Sequence, residues 1–159
     1  MSSNQLQSGD TMSQIEFIQI SVTKTQPLRI AVLRPHCSNS TVDFEFDNHA
    51  LSLHLSAQTE GKIIGISSLL PQDQSGLFQK KIWRFRGMAV DPKHQKQGIG
   101  VVLVEKSIEY AHQQNAELIW CNARSHATGF YQKTGFQIKG SEFEIKDIGP
   151  HFYMELCLK

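Results

Sequence analysis

Gln95, Gly98 and Gly100 fall in the stretch Met88-Ala89-Val90-Asp91-Pro92-Lys93-His94-Gln95-Lys96-Gln97-Gly98-Ile99-Gly100-Val101, and their spacing offers a way to hold a phosphate. The apolar run before Asp91-Pro92 reads as a strand, the polar residues as a sharp turn, and Gly98 onward as the first turn of a helix. The opening N–H groups of a helix lack intrahelical acceptors and carry the positive end of its dipole, so an anion there is hydrogen-bonded and electrostatically favoured. Glycines let the backbone approach that anion closely, and Lys93 and Lys96 add full charges beside it. The same spacing also suits an ordinary strand-turn-helix connection packed through its glycines, and spacing alone leaves both readings open. Two phosphate loops are excluded. Neither glycine is followed by Lys, as a P-loop needs, and Leu103 stands where a dinucleotide fingerprint has its third glycine.

Groups able to move a proton are scattered more widely. Glu142, Glu144 and His151 stand on the expected closing strands, and His36 and His54 lie upstream. His151, after Pro150, is the first candidate base, because imidazole is the side chain that titrates nearest neutrality. For each of these a solvated or packed side chain is the competing reading. Cys121 lies in an apolar run, where desolvation suppresses the thiolate and favours packing over nucleophilic work.

The elements that must position these groups follow from periodicity. Gln14 to Lys24 alternates imperfectly and reads as a first strand, and Pro27 to Arg34 as a short helix ending before Pro35. Pro35 to Asn48 has no period and reads as a crossover loop or as a segment framing a site. Leu51 to Ala57 and Ile63 to Leu70 flank Thr59-Glu60-Gly61-Lys62 and predict an antiparallel hairpin. A central strand is expected from Lys80 to Val90, a helix from Gly98 to Gln113 and an apolar, doubly buried strand over Leu118–Ala123, which together imply a right-handed parallel crossover. A second short helix, His126 to Thr134, ends at Gly135 as a left-handed cap. Phe136–Lys139 and Phe143–Ile145 form a further strand, Asp147-Ile148-Gly149-Pro150 a turn, and His151 to Leu158 a closing antiparallel strand.

Composition bounds the rest. The 159 residues, 40% hydrophobic and 19% charged, suit one soluble domain over residues 14–159 after a polar, aperiodic tail of residues 1–13. A formal charge of +1 argues against an electrostatically driven nucleic-acid partner. The three cysteines, Cys37, Cys121 and Cys157, are odd in number and lack a Cys-x-x-Cys pair, so neither a disulfide framework nor a metal site is expected. The N-terminus lacks a signal-peptide pattern and no apolar run approaches a membrane span, so the expected address is the cytoplasm. Asn39-Ser40-Thr41 matches a glycosylation acceptor and is read as chance.

Two stretches carry a resemblance. Gln95-x-x-Gly98-x-Gly100 after Met88-Ala89-Val90-Asp91-Pro92 resembles the acyl-CoA signature of the GNAT N-acetyltransferase superfamily, and Asn122 through Phe130-Tyr131-x-Lys133-x-Gly135-Phe136 is similar to the same family's later motif. The closing Gly149-Pro150-His151 with Met154 resembles a bacterial GNAT subgroup. The family implies an α/β fold, a central six- to seven-stranded mixed sheet splayed between two parallel strands and flanked by helices. It implies an acetyl-CoA-dependent transfer to a primary amine, with no metal and with homodimerisation common among relatives. By the resemblance, Met88, Ala89 and Val90 would pair with the pantetheine amides, and Met88 or Val90 would offer an N–H to the developing oxyanion. Gln95, Lys96, Gln97, Gly98, Ile99, Gly100 and Val101 would surround the pyrophosphate. Asn122, Phe130 and Tyr131 would complete the cofactor site, with Tyr131 as general acid to the leaving thiolate. Asn122 as a helix-capping residue, and Phe130 and Tyr131 as core, are the competing readings. Many relatives place a carboxylate base on the strand before the cradle, where this chain has Trp83, Arg84 and Arg86. That departure leaves two function classes: the transferase, and a non-catalytic CoA-binding module. An arginine-rich strand there suggests an acceptor carrying a carboxylate.

Overall fold

Alternation of Trp83 and Phe85 with Arg84 and Arg86 sends aromatic rings to one face of a central strand and guanidinium groups to the other, and the rest of the chain is built on those two faces. A computed structural model describes residues 14–35 and 42–159. The expected tail of residues 1–13, His36, Cys37 and the Asn39-Ser40-Thr41 acceptor lie outside the described residues.

In chain order the elements are β1 (Glu16–Gln19), a helical stretch whose α-helical part is α1 (Gln26–Leu28), β2 (Leu53–Thr59), β3 (Lys62–Leu70), β4 (Ile82–Val90), α2 (Ile99–Gln113), β5 (Leu118–Arg124), α3 (Thr128–Lys133), β6 (Gln137–Ile138), β7 (Phe143–Ile145) and β8 (Gly149–Cys157). They form one mixed α/β sheet of eight strands in the order β1-β2-β3-β4-β5-β8-β6, with β7 sharing the outer edge of β8. Only β4 and β5 run parallel, joined over one face by α2, and the other pairs are antiparallel. No helix among the described residues is long and apolar enough to cross a membrane.

Several expected boundaries move. The first strand is confined to Glu16–Gln19, and Val22–Thr25 turns into a 3-10 helix that leads to α1. The sheet has eight strands because Phe136–Ile145 contributes two short ones, each pairing with a different half of β8. Gly149 and Pro150 belong to β8 and not to a turn, the reversal being made by Asp147 at a φ of 67°.

The aromatic face of β4 is the core side. Trp83 is fully buried and meets Tyr110 of α2 edge-on at 5.8 Å, while Phe85 meets Tyr131 of α3 at 6.2 Å. Ile99, Leu103, Val104 and Ala111 of α2 are buried against the same face. The helix approaches so closely that a Cβ on Gly65 of β3 would lie 2.9 Å from Ile99.

The opposite face is covered by the helical segment after β1 and by the turns over residues 42–52. Arg29, fully buried, donates from Nη1 to the Val42 carbonyl and Asp47, and from Nη2 to Asp47 and Ser68, at 2.8–3.0 Å. His54 completes this network. Its Nε2 lies 2.8 Å from the Asp47 carbonyl and its Nδ1 2.7 Å from the Ser68 hydroxyl. A neutral ring with Nε2–H donating, and Nδ1 accepting from Ser68, satisfies all three groups and leaves the Ser68 oxygen to accept from Arg29.

Burial holds the His54 pKa below its ordinary value of 6.5, outweighing the Asp47 contributions. Below 6.5 the unfolded chain takes up a proton that the folded chain refuses, so this contribution to stability is complete above 6.5 and is lost as pH falls toward the depressed folded value. Denaturant midpoints measured at about pH 7.5 and about pH 5.5 are expected to fall on acidification, and to fall less in His54→Gln.

Candidate active site

Pairing between β4 and β5 stops at Arg84 opposite Trp120, although β4 runs on to Val90 and β5 to Arg124. Past that point the two parallel strands part, and the β5-facing rim of β4 is left without a strand partner. A bulge assists the opening. The register with β3 slips between Ile66 and Ser68, opposite Arg86 and Ala89, and Gly87 takes a φ of +69°. A Cβ on Gly87 would lie 2.7 Å from the Phe44 ring, so the bulge requires glycine both for space and for backbone.

The gap opens into a cavity of about 820 Å³. Met88, Ala89 and Val90 form one wall, Ala123 and Arg124 of β5 the facing one, and Gly98, Ile99, Gly100 and Val101 the end at the start of α2. The first bond of that helix runs from the Val102 N–H to the Gly98 carbonyl at 3.3 Å, so the N–H groups of Ile99, Gly100 and Val101 precede the ladder. Gly98 caps the helix at a φ of 84°, and a Cβ placed there meets nothing within 4 Å. Gly100 is held the other way, because a Cβ there would come within 3.1 Å of Phe130. The turn before the helix is tied down locally: the Asp91 carboxylate accepts from the Lys93 N–H, and the Gln95 side chain donates to the Val90 carbonyl at 3.0 Å. Lys96, at a φ of 65°, stands at the mouth with His94.

Tyr131 closes the cavity floor. Its ring is held edge-on by Phe85, Phe130 and Phe136 at 6.2, 5.0 and 5.5 Å. The end of α3 fixes its backbone: the Phe136 N–H bonds to the Tyr131 carbonyl and the Gly135 N–H to that of Gln132, a Schellman closure with Gly135 at a φ of 109°. Burial pushes the phenol pKa well above its ordinary value, so the hydroxyl keeps its proton at neutral pH. Burial also pushes the Cys121 thiol up to about 12 against the opposing charge of Arg84, so it holds no thiolate.

Among the residues expected at the cofactor, the structure brings Met88, Ala89, Val90, Gln95, Lys96, Gly98, Ile99, Gly100, Val101, Phe130 and Tyr131 to this wall. Gln97 and Asn122 do not line it. The Gln97 side-chain oxygen is buried without a partner, and Asn122 pairs with Tyr153 in the β5–β8 ladder. His151 is buried one strand further out, opposite Arg124, with its Nδ1 2.8 Å from the Gly149 carbonyl. Glu142 accepts from Ser125 and, like Glu144, is exposed. Sequence reasoning missed Val32, Leu33, His94, Arg124, His126 and Lys133 in the wall. Lys133 had a signal, three residues beyond Phe130 on one helix, and His94 lies within the cradle stretch itself, whereas Val32, Leu33, Arg124 and His126 are gathered by packing between distant segments. No carboxylate lines the cavity among the described residues. Its charge therefore suits an anionic ligand.

The family description "Acetyltransferase (GNAT) family" matches residues 22–136, which spans the bulge, the cradle and α3. The chain belongs to the GNAT acetyltransferase family. Over 145 residues it is 34% identical to the uncharacterized N-acetyltransferase YitI of Bacillus subtilis, covering 91% of this chain and 97% of that protein. Human N-acetyltransferase 8B is 33% identical over 90 residues, 55% of this chain and 39% of the relative. Among solved structures, Escherichia coli ElaA superposes with a TM-score of 0.72 at 19% identity, covering 89% of this chain and 99% of ElaA. An aminoglycoside 6'-N-acetyltransferase complexed with coenzyme A superposes with a TM-score of 0.72 at 14% identity, covering 91% and 97%. The GNAT fold of a mixed sheet opened between two parallel strands is the one seen here, and with the family comes acyltransferase activity.

Proposed function

We propose that this GNAT protein is an acetyl-CoA-dependent N-acetyltransferase that moves an acetyl group directly onto a primary amine. The observation carrying the reading is the meeting, around one cavity, of the unbonded N–H groups of α2, the unpartnered rim of β4 and the phenol of Tyr131. These residues fit a coenzyme A thioester. The rim at Met88–Val90 suits the amides of an extended arm by strand addition. The N–H groups from Gly98 to Val101, with Lys96, suit a pyrophosphate, and the open space at Gly98 lets it come close. The related structure solved with coenzyme A favours the same cosubstrate.

When bound, the thioester supplies the activated acetyl carbonyl. The amine nitrogen forms the C–N bond as the C–S bond breaks, and Tyr131 gives its phenolic proton to the departing sulfur, recovering it afterwards from solvent. The main-chain N–H of Met88 or Val90 faces the charge that develops on the carbonyl oxygen. The surplus amine proton leaves through water to His151, whose Nδ1 is tied to the Gly149 carbonyl, so that Nε2 is the basic atom. Cys121, buried as a thiol, takes no covalent part.

Titration with coenzyme A, combined with thiol release over an amine array, tests the reading. Gly98→Val forces a β-branched side chain into a left-handed backbone and into the cradle, and is expected to weaken CoA binding at least about tenfold with the far-UV spectrum unchanged. Undiminished affinity in that variant rejects the cradle. Coenzyme A binding with no amine-dependent thiol release makes the chain a binding module instead.

A further inference from the structure

The face of β4 and β5 away from α2 carries more positive charge than the described residues balance. Arg84 and Arg86 project there from β4 and Arg124 from β5, beside Arg34 at the end of the helical segment. Asp47 is the one carboxylate with an ion pair in this region among the described residues, and Arg29 already holds it through both Nη atoms at 2.8 and 3.0 Å. Arg34 and Arg124 both donate to the same acceptor, the Leu33 carbonyl, each at 3.0 Å, and Leu33 and Arg124 line the cavity. Two like-charged guanidinium groups on one carbonyl are mutually repelled, and an anion between them would relieve that repulsion.

Arg86 makes no ion pair among the described residues and sits over the Phe44 ring, its Cζ 3.9 Å from the centroid. Arg84 lies over Trp120 at 4.6 Å, and its Nε is buried without a partner. Neither side chain donates a hydrogen bond among the described residues, so both keep N–H groups for a planar oxyanion. Burial and the neighbouring arginines bring Arg86 down to about 9, and burial with Arg34 also lowers Arg124. The site disfavours its own charge until an anion arrives.

We infer that the acceptor amine also carries a carboxylate, held by Arg86 and Arg124 with Arg34 and Arg84 around it, so that the enzyme acetylates amino acids or similar zwitterions and not polycationic amines. The inference rests on the N-acetyltransferase reading above. The cradle of α2 and Lys96 forms another end of the cavity, so the cosubstrate's phosphates have their own positive partners. A carboxylate attached near the amine would dock against the β4–β5 arginines and leave the nitrogen pointing into the gap where the strands part. A second cation in the acceptor would meet several like charges there.

Thiol release from acetyl-CoA would be followed with matched sets of amines: free amino acids, their amides, and the decarboxylated amines. Free amino acids are expected to exceed their amides in kcat/KM by about 30-fold or more, as loss of a charge-assisted fork implies. Arg86→Gln and Arg124→Gln are expected to shrink that ratio toward one, chiefly through KM. As a measurement independent of any variant's folding, N-acetyl amino acids should inhibit the native protein competitively and their amides should not. Equal or better turnover of amides or decarboxylated amines, or equal inhibition by both product forms, overturns the anionic acceptor and leaves the transferase standing. Coenzyme A binding with no amine of any set releasing thiol overturns the transferase and this inference with it.

Discussion

Tyr131→Phe is expected to lower turnover by about 10²- to 10³-fold while coenzyme A binds as before. The substitution keeps the ring and its edge contacts with Phe85, Phe130 and Phe136, and removes only the hydroxyl. Phenylalanine should therefore fold and bind normally but offer no proton to the sulfur. Because burial holds the phenol well above its ordinary pKa, it remains an acid across the neutral and mildly alkaline range. The native enzyme should accordingly show no loss of rate from Tyr131 ionisation as pH rises to about 9. Steady-state thiol release across pH, paired with calorimetric titration of coenzyme A, checks both points. A variant with native kcat removes Tyr131 from the chemistry, and one with lost binding and intact kcat reassigns it to the cofactor wall.

Arg29→Met is expected to cost about 3–5 kcal/mol of stability, among the largest effects for any single side chain outside the aromatic core. Methionine fills much of the volume but leaves the Asp47 carboxylate, with its side chain 5% exposed, without its fork. The Phe44 N–H at 2.8 Å remains as a partner, and the Ser68 hydroxyl loses a donor. Urea unfolding followed by tryptophan fluorescence would show the lowered midpoint. The double change Arg29→Met with Asp47→Leu should recover part of the loss, because it removes the stranded charge. A single variant within about 1 kcal/mol of native would show that this network is peripheral.

The parts of the site legible in the chain are those whose geometry is local. Gly98 and Gly100 announce a helix start open to a ligand because left-handed and close-packed positions select glycine wherever they occur. Gly135 after Lys133-Thr134 announces the end of α3 for the same reason. The hairpin from Leu53 to Leu70 is legible from the strict alternation of Leu51 to Ala57, the turn at Thr59 to Lys62 and the apolar run that resumes at Ile63. What could not be read depends on contacts across sequence. Leu33 and Arg124 meet through one hydrogen bond between segments 91 positions apart, and no spacing rule joins them. Gly149-Pro150 looked like part of a turn by composition. Proline tolerates the first positions of a strand, and the pairing of Pro150 with Glu144 decided the matter. Chemistry alone singles out His151, whereas its burial opposite Arg124 depends on how β8 registers against β5.

The extra residue at Gly87 acts as a change of parity. Before it, odd-numbered side chains of β4 point toward α2, as Trp83 and Phe85 do, and after it the even-numbered Met88 and Val90 pack against that core. Flattening the bulge with every residue kept would restore an unbroken two-beat rhythm and turn Ala89 inward in place of Met88 and Val90, carrying the amide edges of those residues round by half a turn. The backbone edge that Met88 to Val90 turn toward the gap is thus set by the bulge at Gly87 and not by the side chains that the strand carries.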